Sequence, residues 1–271
     1  RLDFEREKEQ VNIFLETSTY CNLKCNFCPH PTHGAPLATM DRDFIRQILR
    51  TCRKVFLTSE YGWKKKKIKV CPVGLGEFFT HPDPIGVFDD IKEILPEAEL
   101  TLDTNAVALS SEYSKSLCRG DYLDTLGISL NASDREAYTD ICGADRFEKV
   151  VGNIREFLRV RDAVGVGPRL SFAMKKSGYA EGTPFREVDS NVRILFPMLR
   201  RDDRVWLNTM LNWGGQVDEK YVDKTLEAVD WPCNQLAQDD IIFRCSGEML
   251  SCCSALAPVP GVEELSLGFF D

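Results

Sequence analysis

The 271-residue chain contains no apolar run approaching the roughly 18 residues needed to cross a bilayer. Its first ten residues, RLDFEREKEQ, are mostly charged, unlike the apolar stretch of a secretion signal. A cytoplasmic protein without a membrane partner is expected. Basic charge is also short: 34 Lys and Arg against 42 Asp and Glu leave a net charge of −8, which argues against general nucleic-acid binding. No internal repeat is visible, and the one biased tract, Lys64–Lys67 with Lys69, reads as a solvated loop. A hydrophobic share of 43% beside 28% charged residues excludes a disordered or fibrous chain and suffices for a sizeable core.

Cysteine is what the chain has in excess. Eleven cysteines, an odd count with several short spacings and no secretion signal, point to reduced thiols reserved for metal rather than to a disulfide framework.

Short β-rich runs alternate with amphipathic helical stretches. Strands are expected at 11–17, 68–74, 98–104, 123–130, 169–175 and 204–210. Helices are expected from Asp41, which caps its own first turn, and at 85–95, 110–119, 146–163 and near 184–200. Six strands alternating with helices imply right-handed βαβ units, an α/β fold with a parallel sheet closed partly into a barrel, and a site at the C-terminal ends of the strands. After residue 212 the pattern changes: a cysteine-rich hairpin turning at Ser246-Gly247 suggests an appendage over 213–271 on a domain spanning 1–212.

Cys21-Asn-Leu-Lys-Cys25-Asn-Phe-Cys28 directly follows the first strand. Thiolates are soft ligands for iron–sulfur clusters or zinc. Three on one tight loop leave one iron of a cubane free, whereas zinc tends to pair two Cys-x-x-Cys units and a ferredoxin supplies a fourth nearby cysteine. Zinc, or His33 as a fourth ligand, stays open. The Cys-x3-Cys-x2-Cys loop, with aromatic Phe27 before its last cysteine, resembles the signature of the radical S-adenosylmethionine (SAM) superfamily. That resemblance implies a [4Fe-4S] cluster on Cys21, Cys25 and Cys28 whose free iron binds SAM. It also implies an external one-electron reductant such as flavodoxin or ferredoxin, and a 5′-deoxyadenosyl radical that abstracts a hydrogen atom from substrate.

Further positions match in order. Gly76-Glu77, within Gly74-Leu75-Gly76-Glu77, stands where the family carries Gly-Gly-Glu, with the carboxylate toward the SAM ammonium. Thr104-Asn105 resembles the start of Thr-Asn-Gly, with Ala106 in place of the glycine, and Ser129 and Asn131 stand where ribose contacts are usual. Strand-end capping and turn chemistry explain these residues equally well. The resemblance covers about residues 11–210 and implies a partial (β/α)6 barrel.

Cys233, Gly247 and Cys252 resemble the start of a SPASM or twitch extension, a β-hairpin-plus-helix piece holding an auxiliary [4Fe-4S] cluster. Cys233, Cys245, Cys252 and Cys253 are the candidate ligands, and the longer SPASM cysteine series is absent. Neighbouring side chains on a strand point to opposite faces, so Cys252 and Cys253 do not serve one cluster equally. Cys253 or Cys245 is then a candidate free thiol able to return a hydrogen atom to a substrate radical. Cys52, Cys71, Cys118 and Cys142 are isolated and read as core residues. His30, His33 and His81 read as loop polarity, while Trp206, Asn208, Asn212 and Trp213 flank the end of the sixth strand.

The expected substrate is a small polyhydroxylated metabolite of the aminoglycoside type, by resemblance to the branch containing aminocyclitol dehydrogenases and the neomycin epimerase. Epimerisation with a cysteine as hydrogen donor is the leading expectation, with two-electron dehydrogenation and peptide maturation as alternatives. Only ten residues precede the first strand, less than the leader-recognition domain that peptide maturases usually carry.

Overall fold

The computed structural model describes residues 10–30, 34, 36–57, 67–210, 217, 218, 220, 222, 240–252, 256 and 266–270. In chain order these form β1 (Gln10–Leu15), α1 (Arg42–Leu57), β2 (Lys67–Cys71), α2 (Pro84–Ile94), β3 (Glu99–Thr104), α3 (Ser111–Arg119), β4 (Thr125–Asn131), α4 (Arg135–Cys142), α5 (Phe147–Val164), β5 (Arg169–Lys175), α6 (Phe185–Leu195), β6 (Arg204–Asn208), β7 (Asp240–Phe243), β8 (Glu248–Leu250) and β9 (Ser266–Phe269). The fold is α/β with a mostly parallel sheet, as the alternating pattern requires. All six expected parallel strands are present, and β5 falls on its expected bounds. The eight-residue α4, capped by Asp134 and by Gly143, is an addition to the expected helices.

The chain divides into two compact units. The first comprises Arg1–Tyr20, Ala35–Thr101 and Ala228–Asp271. In it β1 pairs in parallel with β2 and with β7, placing Ile13 beside both Val70 and Ile241. Val11, Ile13 and Leu15 alternate inward and are fully buried, as a half-buried strand dictates. Helix α1 presents Ile45, Ile48, Leu49, Cys52 and Phe56 on one buried stripe. The Arg42 guanidinium grips the fully buried Asp90 of α2 in two hydrogen bonds of 2.7 and 2.8 Å. The hairpin at Ser246-Gly247 forms as expected between antiparallel β7 and β8, with Gly247 at φ +84°. Among its described residues the extension carries a third strand, β9, which pairs antiparallel with β8. Its hairpin also joins the parallel sheet through β1, because β7 supplies hydrogen-bonding groups that an open β1 edge would leave unpaired. The expected boundary at 212/213 lies outside the described residues.

The second unit comprises Cys21–Gly34 and Leu102–Glu227. Here β4, β5 and β6 pair in parallel, with Ile128 beside Phe172 and Phe172 beside Val205. Phe172 stacks on Phe196 with ring centroids 5.3 Å apart. The buried Arg161 of α5 meets Asp203 at 2.8 and 2.6 Å, and Asp203 also accepts from the N–H groups of Leu170 and Arg200, both at 2.7 Å. The ladder between β4 and β5 shifts register between Ser129 and Asn131, an irregularity of the kind that re-aims side chains at a strand end.

Candidate metal and cofactor site

The second unit holds the cysteine loop. Cys21, Cys25 and Cys28 are each half-buried, and the other two thiols both push the Cys25 proton affinity up, so the three share one electrostatic neighbourhood. The last turn of α4 leaves carbonyls without helical partners, and the loop satisfies them: Lys24 N–H donates to Cys142 O at 3.3 Å and Asn26 N–H to Ile141 O at 2.9 Å. The Asn26 side-chain amide donates to Asp140 O at 3.1 Å. Gly143 closes α4 at φ +66°, and a Cβ there would lie 2.3 Å from Lys24 O. Only glycine suits both the left-handed turn and the close approach.

Each thiol also meets one polar group. Asn105 Nδ2 lies 3.9 Å from Cys21 Sγ and donates to Asn22 Oδ1 at 2.8 Å. His30 N–H donates to Cys28 Sγ at 3.5 Å. The neighbouring Cys142 thiol, ahead of burial, pushes the Cys25 thiol up. Reading Cys142 as an incidental core residue is therefore corrected: it is fully buried, as expected, but against the cysteine loop. Its thiol accepts from Asn131 Nδ2 at 3.4 Å. Lys175, at the end of β5, sets its ammonium 4.3 Å from the centroid of Phe27. The contacts of Cys142 and Lys175 with the loop are tertiary, so motif spacing could not reveal them. The Asp134 and Gly143 cap signals around α4 were the one usable hint.

At the end of β3, Thr104 Oγ1 accepts from Ala106 N–H at 3.0 Å and Asn105 Oδ1 from Val107 N–H at 2.9 Å. Turn chemistry thus uses part of both side chains. Ala106, standing where the motif has glycine, adopts φ +59°. Asn131 also takes a left-handed φ, +68°; its Nδ2 is engaged, but its buried Oδ1 has no partner among the described residues.

In the first unit, Gly76 fits beneath the chain that follows β1: a Cβ there would meet Ser18 O at 2.1 Å and Tyr20 O at 2.7 Å. The close approach that Gly76 permits is thus to the protein's own backbone. Glu77 is buried, and its carboxylate accepts from Phe79 N–H at 3.4 Å at the start of a single 3-10 turn. Cys245 donates from its thiol to Glu16 O at 2.7 Å, and burial followed by the Glu16 charge pushes it up to about 12. Cys252 is buried. Cys233, Cys253, His33, Asn212 and Trp213 lie outside the described residues. His81 is buried rather than a loop polar group, with Nε2 3.0 Å from Met40 O and Nδ1 accepting from Asp83 N–H. Trp206, at the sixth strand, is half-exposed.

Among the described residues, no three His, Cys, Asp or Glu side chains gather closely enough to hold one metal ion. A cubane places each cysteine on a different iron, and a three-thiolate loop directly after a strand of a parallel α/β sheet suits a cluster-binding class of protein. The radical SAM superfamily model matches residues 15–166, more than half of the chain, and the chain belongs to that superfamily. Membership implies SAM and a [4Fe-4S] cluster, and the second unit suits both, with three grouped thiols, a polar neighbour for each, and the unpaired Asn131 oxygen.

The chain is 24% identical over 192 residues to a probable GTP 3′,8-cyclase of Saccharolobus solfataricus, covering 70% of this chain and 56% of that protein. It is 29% identical over 154 residues to the GTP 3′,8-cyclase of Chlorobaculum tepidum, covering 54% and 40%. It thus spans about half the length of these curated relatives. Among solved structures, Streptococcus suis SuiB bound to S-adenosylmethionine superposes with a TM-score of 0.58 at 15% identity, over 95% of this chain and 62% of that one. Native anSMEcpe with bound AdoMet gives 0.56 at 14%, over 96% and 77%. Both likenesses concern the fold.

Proposed function

We propose that the chain is a radical SAM enzyme that removes a hydrogen atom from a carbinol carbon of a small polyhydroxylated metabolite. The grouped thiols of Cys21, Cys25 and Cys28, each with its polar neighbour, carry this reading. They would hold the [4Fe-4S] cluster; SAM on that cluster, once an external reductant supplies an electron, provides the 5′-deoxyadenosyl radical. Ser129 and Asn131 would hold the SAM ribose, and the unpaired Asn131 Oδ1 suits a hydroxyl donor. Phe27, Thr104 and Asn105 would line the SAM site, and Gly76-Glu77 would receive its ammonium.

For the outcome we favour epimerisation, with a C-terminal thiol returning hydrogen to the opposite face of the carbon and the resulting thiyl radical restored by one electron from the external reductant and a proton from solvent. Cys245 is the first candidate, with its S–H held by hydrogen bonding to Glu16 O. Cys253 is the second candidate. Cys233 and Cys252, with whichever of those two is not the donor, would hold an auxiliary cluster in a twitch-like region over 213–271. An aminoglycoside suits the acidic chain. Cyclisation of a purine nucleotide is a second reading, favoured by the named relatives.

The test is anaerobic turnover with SAM and dithionite in heavy water. Formation of 5′-deoxyadenosine with deuterium at one product carbon is expected from an aminoglycoside. An oxidised product would replace epimerisation by dehydrogenation, a product from GTP alone would favour the second reading, and no 5′-deoxyadenosine with any substrate would sink the proposal.

A further inference from the structure

Lys175 has no role in the reading above, yet its surroundings are unusual for a lysine. It is half-buried at the end of β5, and among the described residues it has no carboxylate partner. Its ammonium lies over the Phe27 ring, one residue from Cys28, at 4.3 Å. A half-buried cation with no counter-ion is costly unless an anion faces it. The groups facing it are sulfurs: burial draws its proton affinity down, while Cys25, Cys28 and Cys142 draw it back up.

We propose that Lys175 is a positioning charge that raises the reduction potential of the cluster held by Cys21, Cys25 and Cys28, an inference that rests on the cluster reading. Thiolate ligation makes a cubane anionic, and reduction adds one more negative charge. A fixed cation behind Phe27 and Cys28 stabilises the reduced state more than the oxidised one, because the attraction grows with the added electron. Hydrogen bonding to the cluster sulfurs acts in the same sense. Lys175 would thereby bring the cluster within reach of a cellular one-electron donor.

The experiment is a potentiometric titration of the reconstituted full chain, followed by electron paramagnetic resonance without SAM, on wild type, K175M, K175Q and K175R. At a fixed potential, K175M and K175Q should each show a reduced-to-oxidised ratio about tenfold below wild type, equivalent to a shift of about 59 mV for one electron. K175R should stay within about threefold of wild type. Unchanged potentials in the neutral variants would overturn the inference, even if their SAM affinity fell, since Lys175 would then serve a bound anion. Loss of iron from both neutral variants with K175R intact would overturn it too, making the residue one of folding. Wild type that takes up no cluster at all would instead sink the cluster reading, a failure visible in the iron content before any titration.

Discussion

Replacing Gly143 by alanine tests the link between α4 and the cysteine loop. Two helix C-caps in the second unit are left-handed glycines: Gly143 at φ +66° after α4 and Gly165 at φ +81° after α5. A non-glycine residue there costs about 1–2 kcal/mol in backbone sterics. At Gly165 the added methyl meets nothing within 4 Å, so G165A should lose only that amount. At Gly143 the methyl would lie 2.3 Å from Lys24 O, and that carbonyl must retreat before the contact becomes tolerable. The retreat pulls on the bonds from Lys24 N–H and Asn26 N–H to the α4 carbonyls, each worth about 1 kcal/mol. G143A should thus lose about 3–4 kcal/mol in urea unfolding, two or more beyond G165A, and should hold less iron because Cys25 follows Lys24 directly. Equal losses in the two variants with full iron in both would refute the idea that α4 anchors the loop.

Three further outcomes are expected. Burial alone would push the Asp203 carboxyl up, but hydrogen bonds from Arg161 and from the N–H groups of Leu170 and Arg200 outweigh it and hold the carboxyl below the usual range. A lowered carboxyl stabilises the fold above its unfolded value, near pH 3.9, and loses that contribution as pH falls through its folded value. D203N should therefore cost about 3–5 kcal/mol at pH 7, and the deficit should shrink in acid unfolding curves below about pH 4. Cys245, pushed up to about 12, should react with iodoacetamide at pH 8 about a thousandfold more slowly than an ordinary thiol, as read by peptide mass mapping. N131A removes the one buried amide oxygen at the end of β4 that awaits a donor and should weaken SAM binding about tenfold in equilibrium dialysis. Unchanged affinity would remove Asn131 from the cofactor site.

What the sequence disclosed followed from the range of the interactions concerned. β5 was legible to the residue because Leu170, Phe172 and Met174 alternate inward, a pattern set by the strand itself. The cluster ligands were legible because three thiols on one loop need no knowledge of the fold. Helix α4 escaped because eight residues show barely two turns of periodicity, although Asp134 and Gly143 marked both its ends. Ala106 shows a different limit: it stands in place of the motif's glycine, yet the backbone keeps the left-handed turn at φ +59°, where the Ala106 and Val107 N–H groups donate to Thr104 and Asn105.

The groups around the cysteines were hidden for a stronger reason. Cys142 reaches Cys25 from the end of α4, Lys175 reaches Phe27 from the end of β5, and Asn105 reaches toward Cys21 from the end of β3. Each comes from a separate element, and each acts on a sulfur whose own motif is complete without it. A ligand motif identifies the metal group because coordination is local and stoichiometric. The potential of that group depends on charges and donors brought in by chain topology, so proteins sharing the same three-cysteine loop are free to differ in how readily it accepts an electron. Lys175 and Cys142 are where this chain would carry that difference, and neither belongs to the loop.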